Sequence, residues 1–335
     1  MDTKSETVNL GNSSTNSKAT DAETVRRLSP VVEDLLSNIE RVVLGKRNVA
    51  RDCLIALFSG EHVLLEDVPG VGKTLMGKAI AKSVDGNFHR VQFTPDLLPS
   101  DIIGSSIFNN QTAEFEFNAG PIFCNFVLAD EINRAPPRTQ SALLEAMSDS
   151  QVSVDGTTRM LPEPFMVIAT QNPFEFEGTY VLPESQLDRF LFRLSMGYPD
   201  REFEQQILSD HRRGEPVEEL ASVCDQSTLA EIKDAIRHIR FEESISNYIM
   251  DIVQATRQSS NLSVGTSTRG ALLWYRAAQA SAFIAGRDFV IPDDAKDLAV
   301  KVLAHRVKVV GAMGTLNRQE VESVILEIIS SVPTP

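Results

Sequence analysis

An α/β core followed by an all-helical C-terminal domain is the predicted fold, and three stretches of sequence predict it. The apolar Val63-Leu64-Leu65 runs into the glycine-rich turn Asp67-Val-Pro-Gly-Val-Gly-Lys-Thr74 and then into a helical stretch over residues 75–84. Phe126-Val-Leu-Ala129 ends in Asp130-Glu131, and an apolar run without alternation is the pattern of a central parallel strand buried on both faces. After Tyr198-Pro199-Asp200 strand patterns stop and helical ones take over.

The glycine-rich turn reads as a phosphate cradle of the P-loop kind. In such a loop backbone N–H groups surround the phosphates, a Lys reaches the β and γ oxygens, and a Thr hydroxyl joins the Mg²⁺ shell. The helix N-terminus beneath adds partial positive charge, so the loop belongs at a strand-to-helix junction. The expected nucleotide-binding residues are therefore Asp67, Val68, Pro69, Gly70, Val71, Gly72, Lys73, Thr74 and Leu75. One position departs from the G-x-x-x-x-G-K-[ST] template, which asks for Gly where this chain has Asp67. With Gly70, Gly72, Lys73 and Thr74 intact, the loop is expected to close around phosphate with Asp67 turned away from the anion.

Charges at the carboxyl end of a parallel strand face the ligand crevice. Asp130 is placed to hold Mg²⁺ through its water shell, with Thr74 as the other metal partner, and Glu131 to take a proton from an attacking water. A kinase would need a phosphate acceptor in place of that water, so Glu131 argues for hydrolysis.

Phe126-Val-Leu-Ala-Asp-Glu-Ile-Asn-Arg-Ala-Pro-Pro-Arg-Thr-Gln-Ser-Ala-Leu-Leu-Glu-Ala-Met147, with Ala169-Thr-Gln-Asn-Pro173 and Leu182-Pro-Glu-Ser-Gln-Leu-Asp-Arg-Phe190, resembles the MoxR group of AAA+ ATPases, and the likeness runs over residues 31–332. The resemblance implies a P-loop NTPase core built on a five-stranded parallel sheet, a helical lid, and ATP with Mg²⁺ as cofactors. It makes Asn172, after the strand at 165–170, the first sensor of the γ-phosphate or the attacking water. It makes Arg189 the arginine finger that reaches the nucleotide of a neighbouring subunit, with Arg193 as the other candidate. Arg269, in Gly265-Thr-Ser-Thr-Arg-Gly270, matches the second sensor on the lid, although Thr268 stands where the family usually has Pro. Val42-Val-Leu-Gly-Lys46 resembles the linker turn in which Val43 and Gly45 would flank adenine, with Lys46 where Gln is common. Purine choice there would rest on shape and backbone contacts; the Asn-Lys-x-Asp guanine reader is absent. The resemblance further implies a homo-oligomeric ring, sixfold in the family, and a partner carrying a von Willebrand factor A domain.

Hairpins are expected at two places. Residues 107–117 carry Phe108, Phe115 and Phe117 around the polar tip Asn109-Asn-Gln-Thr112, and Gln151-Val-Ser-Val-Asp-Gly-Thr-Thr158 alternates around Asp-Gly, a strong hairpin signal. Both match family loops that line a ring face or pore, where they would meet a client.

Composition agrees with a nucleotide-driven machine. A chain of 335 residues with 42% hydrophobic side chains can bury one large and one smaller core, and about 150 residues per domain suggests two domains. The formal charge is −14, from 46 acidic against 32 basic residues; such a surface repels nucleic acid, whose binding rests on Lys and Arg neutralising phosphate. The three Cys are odd in number and dispersed, which argues against a disulfide framework or a zinc site. No stretch reaches the roughly 18 apolar residues that span a bilayer, and no secretory signal is visible, so a cytoplasmic location is expected.

Residues 1–28 are rich in Ser, Thr and Asn, bury too little to offset the entropy of ordering, and are expected to be disordered. The core is expected over 29–199, beginning with a helical face of Val32, Leu35, Leu36 and Ile39, and the lid over 200–335. In the lid, Pro292 with Asp293 and Asp294 marks a helix start, and Val321, Val324, Ile325, Ile328, Ile329 and Val332 form one stripe behind an N-cap at Asn317. Two other functions stay open at this point: a magnesium-chelatase-like motor subunit, and a nonhydrolysing nucleotide-gated scaffold for which Asp67 is the hint.

Overall fold

The computed structural model describes residues 22–173, 179–210, 212, 214–311 and 318–335. Helices α1 (Ala22–Glu40) and α2 (Arg47–Ser59) lead to β1 (His62–Glu66) and α3 (Lys73–Ser83), with the glycine-rich loop between the last two. Then come β2 (Phe88–Gln92), the short α4 (Pro99–Ile103), the hairpin β3 (Gly104–Asn109) and β4 (Glu114–Ala119), β5 (Phe126–Asp130) and α5 (Pro137–Asp149). A second hairpin, β6 (Gln151–Val154) and β7 (Thr157–Met160), precedes β8 (Met166–Gln171), α6 (Glu184–Leu187) and β9 (Phe190–Leu194). The rest is helical: α7 (Arg201–Asp210), α8 (Gln226–Arg237), α9 (Glu243–Gln258), α10 (Thr268–Ile284), α11 (Pro292–Leu303) and α12 (Arg318–Ser331). A small antiparallel ribbon, β10 (Leu262–Val264) with β11 (Lys308–Val309), interrupts it, so the second half is not purely helical as expected.

Five strands form one parallel sheet in the order β2-β5-β8-β1-β9. The continuous apolar runs explain the order: every residue of β1 and β5 is buried, as central strands covered on both faces require. β2, with exposed His89, Arg90 and Gln92, lies at an edge. α10 and α11 pack against β9 at the other edge, which joins the helical half to the sheet.

The two expected hairpins are present. Asp155 and Gly156 have φ of 52° and 76°, the pair of positive values that a type I′ turn demands and that Asp-Gly supplies most easily. The helix starting at Pro292 also stands: the Asp294 carboxylate accepts from the Ile291 N–H at 2.9 Å and pairs with Arg287. Of the α12 stripe, Val321, Ile325 and Ile328 are buried; its proposed cap Asn317 lies outside the described residues.

The expectation of disorder through residue 28 is corrected for its last seven residues, while 1–21 lie outside the described residues. α1 begins at Ala22, and Val25 and Leu28 are buried at 1% and 2% exposure. They extend the stripe of Val32, Leu35 and Ile39 by two helical steps. Ser29-Pro30 looks like a break in sequence, yet Pro30 sits on the exposed side, so the carbonyl deprived of its helical donor lies where water can serve it. Truncating Leu28 to Ala should lower unfolding free energy by about 2–5 kcal/mol, measurable as a reduced denaturation midpoint; a disordered segment would give no change.

Candidate active site

The loop after β1 takes its shape from two glycines. Gly70 and Gly72 adopt φ of 84° and 96°, a region that side-chain-bearing residues enter only under strain. Gly72 directly precedes α3, and the half-buried Lys73 and Thr74 open that helix. The Lys73 ammonium donates to the Asp67 carbonyl at 2.6 Å, so it lies folded across the loop. Asp67 itself is turned away from the loop interior. Its carboxylate accepts from Val68 N–H at 2.9 Å, Ser195 Oγ at 2.8 Å and Gly197 N–H at 2.6 Å. Burial raises this carboxyl, but the bonds from Gly197, Ser195 and Val68 outweigh it and hold Asp67 below the ordinary carboxylate range.

The same segment carries a second wall of the site. Met196 lies against Gly72, and two residues on, the Tyr198 carbonyl accepts from Lys46 Nζ at 2.8 Å. Gly45, at φ 69°, stands so close to the Phe203 ring that an added Cβ would lie 2.5 Å from it. Val43 is buried at 4% exposure. The turn at 43–46 is thus clamped against the start of α7, beside the loop. Tyr198 and Phe203 were not read from sequence as part of this wall, because nothing local links them to residues 150 positions earlier.

At the ends of β5 and β8 the two acids and Asn172 converge. Asp130 accepts from Arg90 Nη2 at 2.6 Å and Nε at 3.0 Å, and from the Thr170 hydroxyl at 2.5 Å. That hydroxyl in turn accepts from the Glu131 N–H at 2.9 Å, holding Glu131 in a left-handed conformation at φ 56°. The Glu131 carboxylate is engaged by Gln92 Nε2 at 2.8 Å and Arg134 Nη1 at 3.0 Å. Asn172, 6% exposed, follows β8, whose last carbonyl, at Gln171, accepts from the Asp67 N–H at 3.2 Å. Because β8 lies between β5 and β1, Asn172 sits between the acids and the loop. Thr74 and Asp130 are hard oxygen donors suited to Mg²⁺. With Asp130 already gripped by Arg90 and Thr170, contact through water fits its geometry. Among the described residues no cluster of three or more His, Cys, Asp or Glu could cage a metal, so an ion here would share its shell with nucleotide phosphates.

The arginines divide between the two ends of the sheet. Arg193 points into its own chain, paired with Glu66 through Nε at 2.8 Å and Nη2 at 2.5 Å. Arg189 precedes β9, at the opposite edge from the loop, and its Nη1 donates to the Leu144 carbonyl at 2.7 Å and to Ser148. The structure does not bring Arg269 to the loop of its own chain either, where a lid residue acting on its own nucleotide would lie. Ser267 Oγ donates to Asp188 at 3.4 Å, which puts the start of α10 at the Arg189 end. Burial raises the Glu61 carboxyl, just before β1, and Arg276, Arg269 and Arg306 pull against that rise. Five residues of strand, about 17 Å at 3.3 Å per residue, separate this edge from the loop. The sequence match assigned Arg269 to the lid but carried no information about which edge of the sheet its helix covers.

A glycine-rich loop after one buried strand, an acid pair after another, and a buried asparagine after the strand between them in an all-parallel sheet are the marks of a P-loop ATPase of the AAA+ class. Residues 62–192 match the family described as ATPase family associated with various cellular activities (AAA), and residues 254–328 match the AAA lid domain. Within that class the chain belongs to the MoxR family: it is 41% identical over 285 residues to Chaperone MoxR1 of Mycobacterium tuberculosis, covering 82% of this chain and 75% of that one. It is 49% identical to the YeaC protein of Bacillus subtilis, over 92% of this chain and 96% of that one. A crystal structure of a Cytophaga hutchinsonii protein shares the fold at a TM-score of 0.85 and 38% identity, covering 93% of this chain and 97% of the other.

Thr170 is wholly buried and bonded to both acids. Thr170→Val removes the hydroxyl and keeps the shape, leaving Asp130 one donor short and the Glu131 N–H without its acceptor. A loss of about 1–3 kcal/mol is expected, read by chemical denaturation, together with a fall in nucleotide turnover as Glu131 loses its anchor.

Proposed function

We propose that this protein hydrolyses Mg-ATP in a head-to-tail ring and uses the cycle to remodel or mature a protein client. The observation that carries the reading is the convergence of Lys73, Asp130, Glu131 and Asn172 on one edge of the sheet while Arg189 and Arg269 occupy the other. A chain with its phosphate site at one end and its spare arginines at the other completes a site only by repeating. A repeated head-to-tail contact closes into a ring by rotation, six subunits by family expectation.

In this reading Lys73 leaves the Asp67 carbonyl for the β and γ oxygens, and the N–H groups around Gly70 and Gly72 surround the phosphates. The Thr74 hydroxyl and Asp130 would hold the shell of a bound Mg²⁺, which would supply charge neutralisation to the phosphates. Glu131, released from Gln92, takes the proton of the attacking water, and Asn172, whose amide can donate and accept, orients that water or the γ-phosphate. Arg189 of the adjacent subunit balances the charge that grows on the transferring phosphoryl group, with Arg269 beside it. Val43, Gly45, Tyr198 and Phe203 flank the base. The alternative of a nonhydrolysing scaffold loses support: Asp67, its one hint, has a structural task in tying the loop to residues 195–197.

Lys73→Ala should abolish Mg-ATP binding, while Glu131→Gln should bind ATP normally and turn over about 10²–10⁴ times more slowly. Nucleotide affinity and phosphate release on both variants test this; a Glu131→Gln enzyme as fast as the parent would remove Glu131 from its role.

The partner face we assign to the two hairpins. Ile107, Phe108, Phe115 and Met160 are exposed there, with the Phe108 and Phe115 rings in edge contact at 5.3 Å. The Arg159 guanidinium lies 3.9 Å over the Phe117 ring and makes the two hairpins one surface. A von Willebrand factor A protein is the proposed occupant, bound more tightly with ATP than with ADP, since a partner that binds both equally cannot be moved by hydrolysis. Pull-down with ATP-held Glu131→Gln should enrich such a protein and lose it when both hairpins are shortened; capture that is equal in ATP and ADP would count against the assignment.

A further inference from the structure

Arg306, in the turn after α11, is among the most buried cations of the chain at 5% exposure, and no role in nucleotide chemistry has been given to it. Each of its three nitrogens donates to the segment that carries Arg189. Nε donates to Asp188 Oδ1 at 2.8 Å, Nη2 to the Asp188 carbonyl at 3.2 Å and the Phe190 carbonyl at 2.5 Å, and Nη1 to the Leu191 carbonyl at 3.2 Å. A further bond from Nη1 reaches back to the Val302 carbonyl of its own helix. The neighbouring His305 reinforces the grip, its Nε2 lying 3.0 Å from the Phe190 carbonyl.

The other side of the same guanidinium touches the element that carries Arg269. A Cβ built on Gly270 would lie 2.9 Å from Arg306 Cδ, so the start of α10 can approach this closely only because residue 270 has no side chain. Ser267, which caps α10 by accepting from Gly270 N–H at 3.0 Å, also donates to Asp188 at 3.4 Å. Arg306 therefore lies between Asp188-Arg189 on one side and Arg269-Gly270 on the other, each pair consecutive in sequence. Burial lowers its pKa to about 10, with Asp188 and Glu61 opposing that fall, so it stays charged at neutral pH. A buried charge of this kind costs desolvation that well-packed apolar side chains avoid, and a point-like ammonium could not reach acceptors spread over three residues as a planar fork does.

We infer that Arg306 is a positioning residue that locks Arg189 and Arg269 into one two-arginine face for the nucleotide of the adjacent subunit. This rests on the shared-site reading above. The physical requirement is that an arginine acting across a subunit boundary be held by its own chain, because a misplacement of about 1 Å costs on the order of 10²-fold in rate. It also ties the helical half to the finger: any turn of α11 against the sheet moves Asp188 and hence Arg189.

The test uses the full-length protein and three variants, Arg306→Lys, Gly270→Ala and Arg189→Ala. Gly270→Ala presses on Arg306 Cδ and equally on Thr266 Cγ2, keeps the Arg306 charge, and serves where Arg306→Lys does not fold. Either should bind a fluorescent ATP analogue as the parent does, with kcat lowered by about 10²-fold. Mixing with Lys73→Ala subunits should restore part of the rate, because those subunits present an intact arginine face to the intact pocket of the variant. A purely structural defect would lower nucleotide affinity as well and would gain nothing from mixing. If Arg189→Ala is rescued by Lys73→Ala subunits while Arg306→Lys and Gly270→Ala are not, or if both retain parental kcat, the positioning role is overturned and the shared site stands. If Arg189→Ala is itself not rescued, the shared site falls and the inference with it.

Discussion

Five strands running the same way give this molecule two unlike edges, and the division of labour follows from that alignment. At the carboxyl edge the strand ends bring together residues that lie far apart in sequence: the loop at 67–74, Asp130 with Glu131, and Asn172. The order β5-β8-β1 makes the grouping possible, because the middle strand touches both neighbours. Thr170 near the end of β8 fixes the acid pair by bonding to both members, and Gln171 holds the start of the loop. Were β8 displaced by one residue, its side chains would exchange faces and Thr170 would leave Asp130.

At the amino edge the chemistry is of a different kind. Arg189 and Arg269 have no phosphate site of their own chain within reach, and their surroundings fix the chain to itself through Asp188, Ser267 and Arg306. The cost of burying Arg306 is offset by the Asp188 carboxylate, which balances its charge, and by main-chain carbonyls, which take its remaining donors. The helical half is thus more than a cover for β9: its bonds run to the edge that faces outward from the nucleotide.

The single departure from the phosphate-loop template has a physical explanation. Glycine at position 67 would leave the loop without the three hydrogen bonds that Asp67 accepts from Val68, Ser195 and Gly197. Those bonds couple the loop to the segment that leads through Tyr198 to Phe203, and so to Gly45 in the turn at 43–46. The loop is therefore joined to α7 by a short covalent and hydrogen-bonded path.

Much of this was legible in the sequence, because the loop, the acid pair, Asn172 and the Asp-Gly hairpin are local patterns in which backbone conformation and chemistry are set by neighbours in the chain. Gly70, Gly72 and Gly156 stand at turn positions whose positive φ glycine adopts without strain, and a long apolar run ending in two acids is a buried strand with its charges at an end. The helical start at Val25 and Leu28 was hidden by the Ser-, Thr- and Asn-rich composition of the segment before it, and the harmlessness of Pro30 depends on which side of α1 meets water. The partners Arg90, Gln92 and Thr170 could not be read, since β-register between strands some 40 residues apart is a tertiary fact. The edge occupied by Arg269 was likewise undecided until α10 and α11 packed on β9: the motif around it determined by itself only that this arginine belongs to the helical half, and only the packing of α10, through Gly270 and the buried Arg306, decided that it stands beside Arg189 and away from its own phosphate loop.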